Sequence, residues 1–129
     1  FRAALAQETY NGIVAFRSYQ HNCIESFGLS RMEKLVSSVD DLDIFSQAQD
    51  DITATIFADT QQLPLDGDGR IILPAPLCEH ARITDRAAFV GRGATFQIWQ
   101  PEAFEEYQKQ ARKRLQERGM TLKLRGAET

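Results

Sequence analysis

The residues best suited to hold a ligand lie in one short segment, called here the Asp66–Arg70 turn, with the sequence Asp66-Gly67-Asp68-Gly69-Arg70. Asp66 can accept hydrogen bonds from the backbone amides of a following tight turn, and Gly67 and Gly69 permit positive φ. Arg70 would then begin a strand with its guanidinium on a fixed base. That planar fork suits phosphate oxygens or the major-groove edge of guanine. The alternative is a simple turn in which the arginine pairs with one of the two aspartates.

Other reactive side chains do not have the spacing of a known site. Two pairs of histidine and cysteine, His21 with Cys23 and Cys78 with His80, lack the spacing of zinc ligands. A calcium loop beginning at the turn would need a bidentate glutamate where Leu77 stands. No arrangement of Ser, Cys and His suggests a nucleophile, and no glycine-rich phosphate loop joins a strand to a helix. The sequence therefore predicts no enzyme, no metal and no other cofactor.

Length and composition favour a compact folded chain. Its 129 residues suit one domain or two very small ones, and 43% hydrophobic residues can build a core. No stretch has the roughly 20 apolar residues of a membrane-spanning helix, and Phe1–Leu5 lacks the features of a signal peptide. Two cysteines are too few for a disulfide framework. These features predict a soluble cytosolic protein with reduced thiols.

Charge is distributed unevenly along the chain. The formal net charge is −3, but from Asp40 to Asp68 there are eight acids and no base, whereas from Lys109 to Arg125 there are seven bases and one acid. Either run can be the solvated face of a helix. The basic run is also the best nonspecific phosphate contact that the sequence offers.

Helical spacing and end signals predict three helices. The first follows the capping-box pattern at Ser30 and runs to Val39; apolar residues from Leu42 to Ile56 indicate a second, packed on the first. The third begins at Pro101 and ends before Gly119. Aromatic residues near this last helix have the periodicity of core residues, not of a base-stacking platform: Phe96, Trp99, Phe104 and Tyr107.

Short β-branched runs predict strands at Ile71–Leu73 and in two hairpins, Ile13–Phe16 with Cys23–Phe27 and Ala88–Val90 with Thr95–Trp99. The chain repeats one order: an apolar residue opening a short helical turn (Phe1, then Leu77), a hairpin, then a helix.

The second repeat is preceded by Leu63–Pro76, whereas nothing precedes Phe1. We therefore expect a longer natural chain with an equivalent strand, turn and strand ahead of Phe1. Its own D-x-x-G-R-like loop should lie about 75 residues ahead of Arg70.

The segment Asp66–Pro74 resembles the D-x-x-G-R-[IV]-x-[IL]-P signature of AbrB-like swapped-hairpin DNA-binding domains. The rest is similar to one branch of them, the MraZ family of bacterial transcriptional regulators. Val90–Gly93 followed by Phe96–Trp99 and a helix matches the second half of that family, and Phe1–Leu5 matches the segment after its first loop. One departure is the pair Gly67-Asp68, where Lys or Gln is frequent.

The resemblance implies an α+β fold in which two AbrB-like halves, residues 1–58 and 59–129, interleave their hairpins into one small β-barrel decorated with helices. It implies a repressor of the division and cell wall gene cluster that binds double-stranded DNA through Asp66, Gly67, Asp68, Gly69 and Arg70.

The resemblance also implies a ring-shaped homo-oligomer on direct repeats in promoters, cytoplasmic and nucleoid-associated, with no membrane and no small-molecule substrate. The alternative is an oligomeric protein–protein interaction module without direct DNA binding, which the acidic run favours.

Overall fold

The computed structural model describes residues 12–40, 46–68 and 70–119. In these ranges the elements are β1 (Gly12–Arg17), β2 (Ile24–Phe27), α1 (Leu29–Asp40), α2 (Gln47–Ile52), a π-helix (Thr53–Phe57), β3 (Gln61–Pro64), α3 (Ala75–Ala81), β4 (Ala88–Arg92), β5 (Thr95–Trp99) and α4 (Pro101–Arg118). None of the described helices is long and apolar enough to cross a membrane.

The strands form one antiparallel sheet in the order β3-β1-β2-β5-β4. The two predicted hairpins are both present, and they meet where Ser26 of β2 pairs with Phe96 of β5. The α+β class is therefore confirmed. Within the described residues the sheet is open, with β3 and β4 at its edges, so closure into a barrel stays a prediction.

The hairpin of β4 and β5 turns through two residues, Gly93 and Ala94, because Arg92 pairs with Thr95. Gly93 has φ +73, a conformation that only glycine adopts at little cost. A glycine at the first position of a two-residue loop matches the strand twist of a hairpin. The glycine-rich segment that predicted this hairpin thus supplies its turn.

One face of the sheet carries the larger core cluster. Every second residue of the strands points to this face, and Leu77 and Ala81 of α3 cover these side chains. Leu65, Ile71 and Leu73, which flank the Asp66–Arg70 turn, pack against the same cluster. The fully or almost fully buried strand members are Ile13, Ala15, Ile24, Leu63, Phe96 and Ile98.

The opposite face packs against helices. Val14, Phe16 and Phe27 form a cluster that is covered by residues of α1 and by Ile56 of the π-helix. Trp99 is 4% exposed, and its ring contacts Phe104 and stacks on Tyr107 of α4. The interpretation of the aromatic residues as core is confirmed for Phe96 and Trp99, which are both buried.

The predicted helices are present with small shifts at their ends. Helix α1 begins one residue early, because the Gly28 carbonyl accepts from the Arg31 amide, so Ser30 lies in the first turn. Ser46 caps α2. Helix α4 begins at Pro101, and its C-cap Gly119 has φ 61. Leu42 and Phe45, where the second helix was predicted to begin, lie outside the described residues.

The predicted strand at Ile71–Leu73 is wrong, because these residues have no strand partner in the described chain. Inward and outward side chains nevertheless alternate along these three residues. Ile71 and Leu73 pack on the core, while Ile72 is 89% exposed. An extended segment can bury alternate side chains without belonging to a ladder. The predicted helical turn at Phe1 lies outside the described residues.

Candidate functional site

The Asp66–Arg70 turn connects β3 to the extended segment before α3. The amide of Asp66 donates to the carbonyl of Arg70 at 2.9 Å, which closes the turn. The Oδ1 atom of Asp66 accepts from the amides of Asp68 at 2.9 Å and Arg70 at 2.8 Å. One carboxylate therefore organises the backbone, as the sequence predicts, because such side-chain bonds replace those of regular structure.

The sequence allows positive φ at the glycines of the turn, but the turn does not use it at Gly67. Gly67 is not among the described residues with positive φ, and a Cβ atom added to it would meet nothing within 4 Å. Its conformational freedom is therefore not used. Gly69 lies outside the described residues.

The guanidinium of Arg70 contacts both carboxylates of the turn. Its Nε lies 3.3 Å from Oδ2 of Asp66, and its Nη2 donates to Oδ2 of Asp68 at 2.6 Å. The side chains remain exposed, at 74% for Arg70, 51% for Asp66 and 75% for Asp68. Ion pairs at such exposure contribute little to the free energy of folding. The contacts therefore orient the guanidinium and still leave it able to bind a ligand.

The core holds the turn from both sides. Leu65 before the turn and Ile71 and Leu73 after it are partly buried against the large cluster. Pro74 then ends the extended segment, and α3 starts at the next residue. Sequence reasoning missed this anchoring role, although the alternation of apolar residues after Arg70 carries the signal.

A second arginine–aspartate pair lies elsewhere, between the end of β1 and the residues before β3. Asp59 accepts from the Arg17 amide at 2.7 Å, and its Oδ1 accepts from Nε at 3.0 Å and Nη2 at 2.8 Å. Burial acts to raise the pKa of Asp59, but the hydrogen bonds and the charge of Arg17 outweigh it, so this pKa lies below its ordinary value. The same hydrogen bond and charge raise the pKa of Arg17. This pair therefore links the end of β1 to the residues before β3.

The histidines and cysteines do not form one cluster: Cys23 is buried, whereas Cys78, His21 and His80 are half-buried. The ring of His21 lies 4.8 Å from that of Tyr107, and Nε2 of His80 is 3.1 Å from the carbonyl oxygen of His21. Burial, followed by the negative charge of Glu25, raises the pKa of the Cys23 thiol to about 12. Over the described ranges, no three His, Cys, Asp or Glu side chains are grouped to hold a metal ion.

Helix α4 carries the basic run. Its side chains from Arg112 to Arg118 are exposed, including Leu115 at 53%. Arg114 lies over the ring of Tyr107 at 5.7 Å. The bases Lys123 and Arg125 lie outside the described residues. The C-terminal half of α4 therefore presents cationic side chains to solvent.

Comparison with known proteins gives a consistent result. Residues 56–125 match the family model described as "MraZ protein, putative antitoxin-like". Proteins named "Transcriptional regulator MraZ" from Rickettsia bellii (strain OSU 85-389) and Rickettsia akari (strain Hartford) are each 45% identical over 123 residues. The alignments cover 95% of this chain and 82% and 83% of those relatives. The chain therefore belongs to the MraZ family, a family of transcriptional regulators and not of enzymes.

Proposed function

We propose that this protein binds double-stranded DNA in a sequence-specific manner through the Asp66–Arg70 turn. The observation that carries the proposal is the fixed geometry of an exposed arginine. The backbone at Arg70 is held by hydrogen bonds that two backbone amides donate to one carboxylate, and the Arg70 side chain is 74% exposed. An arginine held in this way loses little side-chain freedom when it binds a guanine edge or a phosphate.

The remaining donors of Arg70 suit a base edge. Within the described residues its hydrogen bonds use Nε and one position on Nη2. An arginine has five N–H groups, so both hydrogens of Nη1 and one of Nη2 remain for another acceptor. Guanine offers O6 and N7 as adjacent acceptors in the major groove. Arg70 acts here as the base-reading residue, and Asp66, Gly67, Asp68 and Gly69 present it.

Helix α4 supplies the phosphate contacts, which do not depend on the DNA sequence. Arg112, Lys113 and Arg118 are exposed and project from its C-terminal half. Cationic side chains of this kind bind phosphates, release counterions and make affinity fall with salt.

One turn per chain gives too little affinity, so we propose a closed homo-oligomer that presents several turns to direct repeats in a promoter. A ring forms when a heterologous interface closes on itself. Linked turns then add avidity. The two repeats, residues 1–58 and 59–129, would each carry such a turn if the natural chain has one ahead of Phe1.

Within this proposal the protein represses the division and cell wall gene cluster and resides in the cytoplasm on the nucleoid. The second candidate function is an oligomeric interaction module that does not contact DNA. It is favoured by the pairing of Arg70 with two acids, which gives the turn a formal negative charge. The exposed Leu115 on α4 would then belong to a protein contact.

A salt-titrated gel shift tests the proposal. The probes are the promoter region upstream of the protein's own gene and a shuffled fragment of equal length and composition. We expect tighter binding to the promoter, with log affinity falling by about 0.9 per phosphate contact for each unit of log salt. Equal affinity for both probes at every salt concentration would favour the interaction module. Light scattering alongside should give a mass well above the 14.6 kDa of one chain.

A further inference from the structure

The two carboxylates of the Asp66–Arg70 turn have different roles. Asp66 accepts from two backbone amides, so the shape of the turn depends on it. The side chain of Asp68 is 75% exposed, and its hydrogen bond within the described chain goes to Nη2 of Arg70 at 2.6 Å. Over the described residues, the carboxylate of Asp68 therefore contacts the guanidinium of Arg70 and no backbone amide of the turn.

We propose that Asp68 is a specificity-determining residue, which turns Arg70 away from phosphates and towards the neutral edge of a base pair. The inference deepens the proposed function and rests on it. Its basis is the short contact between the exposed carboxylate of Asp68 and the exposed guanidinium of Arg70, whereas the backbone amides described in the turn donate to Asp66 instead.

The geometry lets Asp68 stay in place while Arg70 binds a base. The carboxylates of Asp66 and Asp68 take Nε and one hydrogen of Nη2. Both hydrogens of Nη1 and the other hydrogen of Nη2 remain, which is enough to bind two adjacent acceptors. Guanine O6 and N7 form such a pair. A guanine contact therefore does not require Asp68 to leave, and the acid also restricts the side-chain motion of Arg70.

Charge makes the two kinds of target unequal. A phosphate that approached the same donors would bring a negative charge close to the Asp68 carboxylate, and like charges at such distances repel. The guanine edge carries no net charge, so it meets a much smaller penalty. Asp68 therefore weakens every phosphate contact of Arg70, at specific and nonspecific sites alike, and leaves the base contact intact.

The test compares Asp68→Asn with Glu33→Gln, a control that removes one exposed acid from α1 on the opposite face of the sheet. Asparagine keeps the size of the side chain and an acceptor for Nη2. Affinities are measured by fluorescence anisotropy for the promoter fragment and the shuffled fragment, at two salt concentrations. Arg70→Ala is measured in parallel, and thermal melts verify that each variant is folded.

We expect Asp68→Asn to bind the shuffled fragment roughly threefold more tightly for each turn that contacts DNA, as the removal of one screened charge near a phosphate predicts. Promoter affinity should change less, so the ratio of the two affinities falls. Glu33→Gln should leave that ratio unchanged. A steeper salt dependence for Asp68→Asn on shuffled DNA would support the gain of a phosphate contact.

The outcomes separate the two proposals. An unchanged affinity ratio for Asp68→Asn, or one that moves equally in Glu33→Gln, overturns the role of Asp68. If Arg70→Ala loses promoter preference in the same experiment, the proposed function still stands. If Arg70→Ala keeps that preference, both proposals fail. Should Asp68→Asn melt early, Asp68→Ser provides the same comparison without the charge, since the backbone amide of residue 68 still donates to Asp66.

Discussion

Among the described residues, two arginines form ion pairs with aspartates, Arg17 with one and Arg70 with two, and the two groups serve different purposes. Arg17 and Asp59 are 42 residues apart in sequence, and the Asp59 side chain is only 17% exposed. Arg70 and its partners Asp66 and Asp68 are neighbours in sequence and mostly exposed. The first pair joins β1 to the segment before β3. The second, Arg70 with its two aspartates, lies on a turn that is exposed to solvent.

Exposure and surroundings, not residue type, decide what such a pair can do. The Asp59 carboxylate accepts from a backbone amide as well as from the guanidinium, so exchanging its partner would leave a strand donor unsatisfied. The contacts of Arg70 are exposed and therefore add little to stability, and the donors that they leave open can bind a ligand. We therefore expect mutations in the first pair to change stability and mutations in the second to change binding.

The largest effect on stability should come from Asp59→Ala. The variant loses several charge-assisted hydrogen bonds to Arg17, including the one from the strand amide. We expect its free energy of unfolding to fall by about 1–2 kcal/mol, a range reduced because Arg17 is half exposed. Urea denaturation measures this change. A variant as stable as the parent would show that the pair does not fasten the fold.

The same pair predicts a pH dependence. Because the pKa of Asp59 is lowered in the folded state, its contribution is complete above the unfolded-state pKa of about 4. The contribution is lost as pH falls through the lower folded-state pKa. The stability difference between the parent and Asp59→Asn should therefore shrink from pH 6 towards pH 2. A difference that stays constant over that range would contradict the assignment.

A smaller change in stability and a clear change in DNA binding should follow Asp66→Ala. Two backbone amides of the turn lose their acceptor, but both lie at the surface, where water can replace it. We expect a loss of up to about 1 kcal/mol in stability. Promoter affinity should fall because Arg70 is no longer held. Unchanged promoter affinity would show that DNA binding does not depend on the shape that Asp66 gives the turn.

The smallest effect should come from Gly67→Ala. A Cβ atom at this position meets no neighbour, and Gly67 has no positive φ. We expect stability within about 0.5 kcal/mol of the parent. The control is Gly93→Ala, where φ is +73 and the same substitution should cost about 1 kcal/mol. Equal melting temperatures for the two variants would contradict this distinction.

Local signals in the sequence predicted much of the fold. Helix α4 is defined at both ends by Pro101 and Gly119, and the hairpin of β4 and β5 by its glycine-rich turn. These features depend on residues close in sequence. The hydrogen bonds of Asp66 to its own turn are local for the same reason, and they too could be anticipated.

The features that sequence reasoning missed depend on distant partners. Ile71–Leu73 has the composition of a strand, but a strand requires a hydrogen-bonding neighbour, which composition cannot supply. The pairing of Arg17 with Asp59 spans 42 residues and has no local pattern. In the turn, the residue types allowed Arg70 to pair with either aspartate, and its contact with both depends on the folded geometry.

The most direct test of the central claim, that Arg70 reads a base edge, compares Arg70→Lys with Arg70→Ala on promoter and shuffled DNA. Lysine keeps the charge but lacks the planar fork that binds two acceptors. We predict that Arg70→Lys keeps most of its affinity for shuffled DNA and loses promoter preference by roughly tenfold or more, from a bidentate contact worth about 1–3 kcal/mol at each site. A lysine variant with the promoter preference of the parent would contradict the account, because charge alone would then be sufficient.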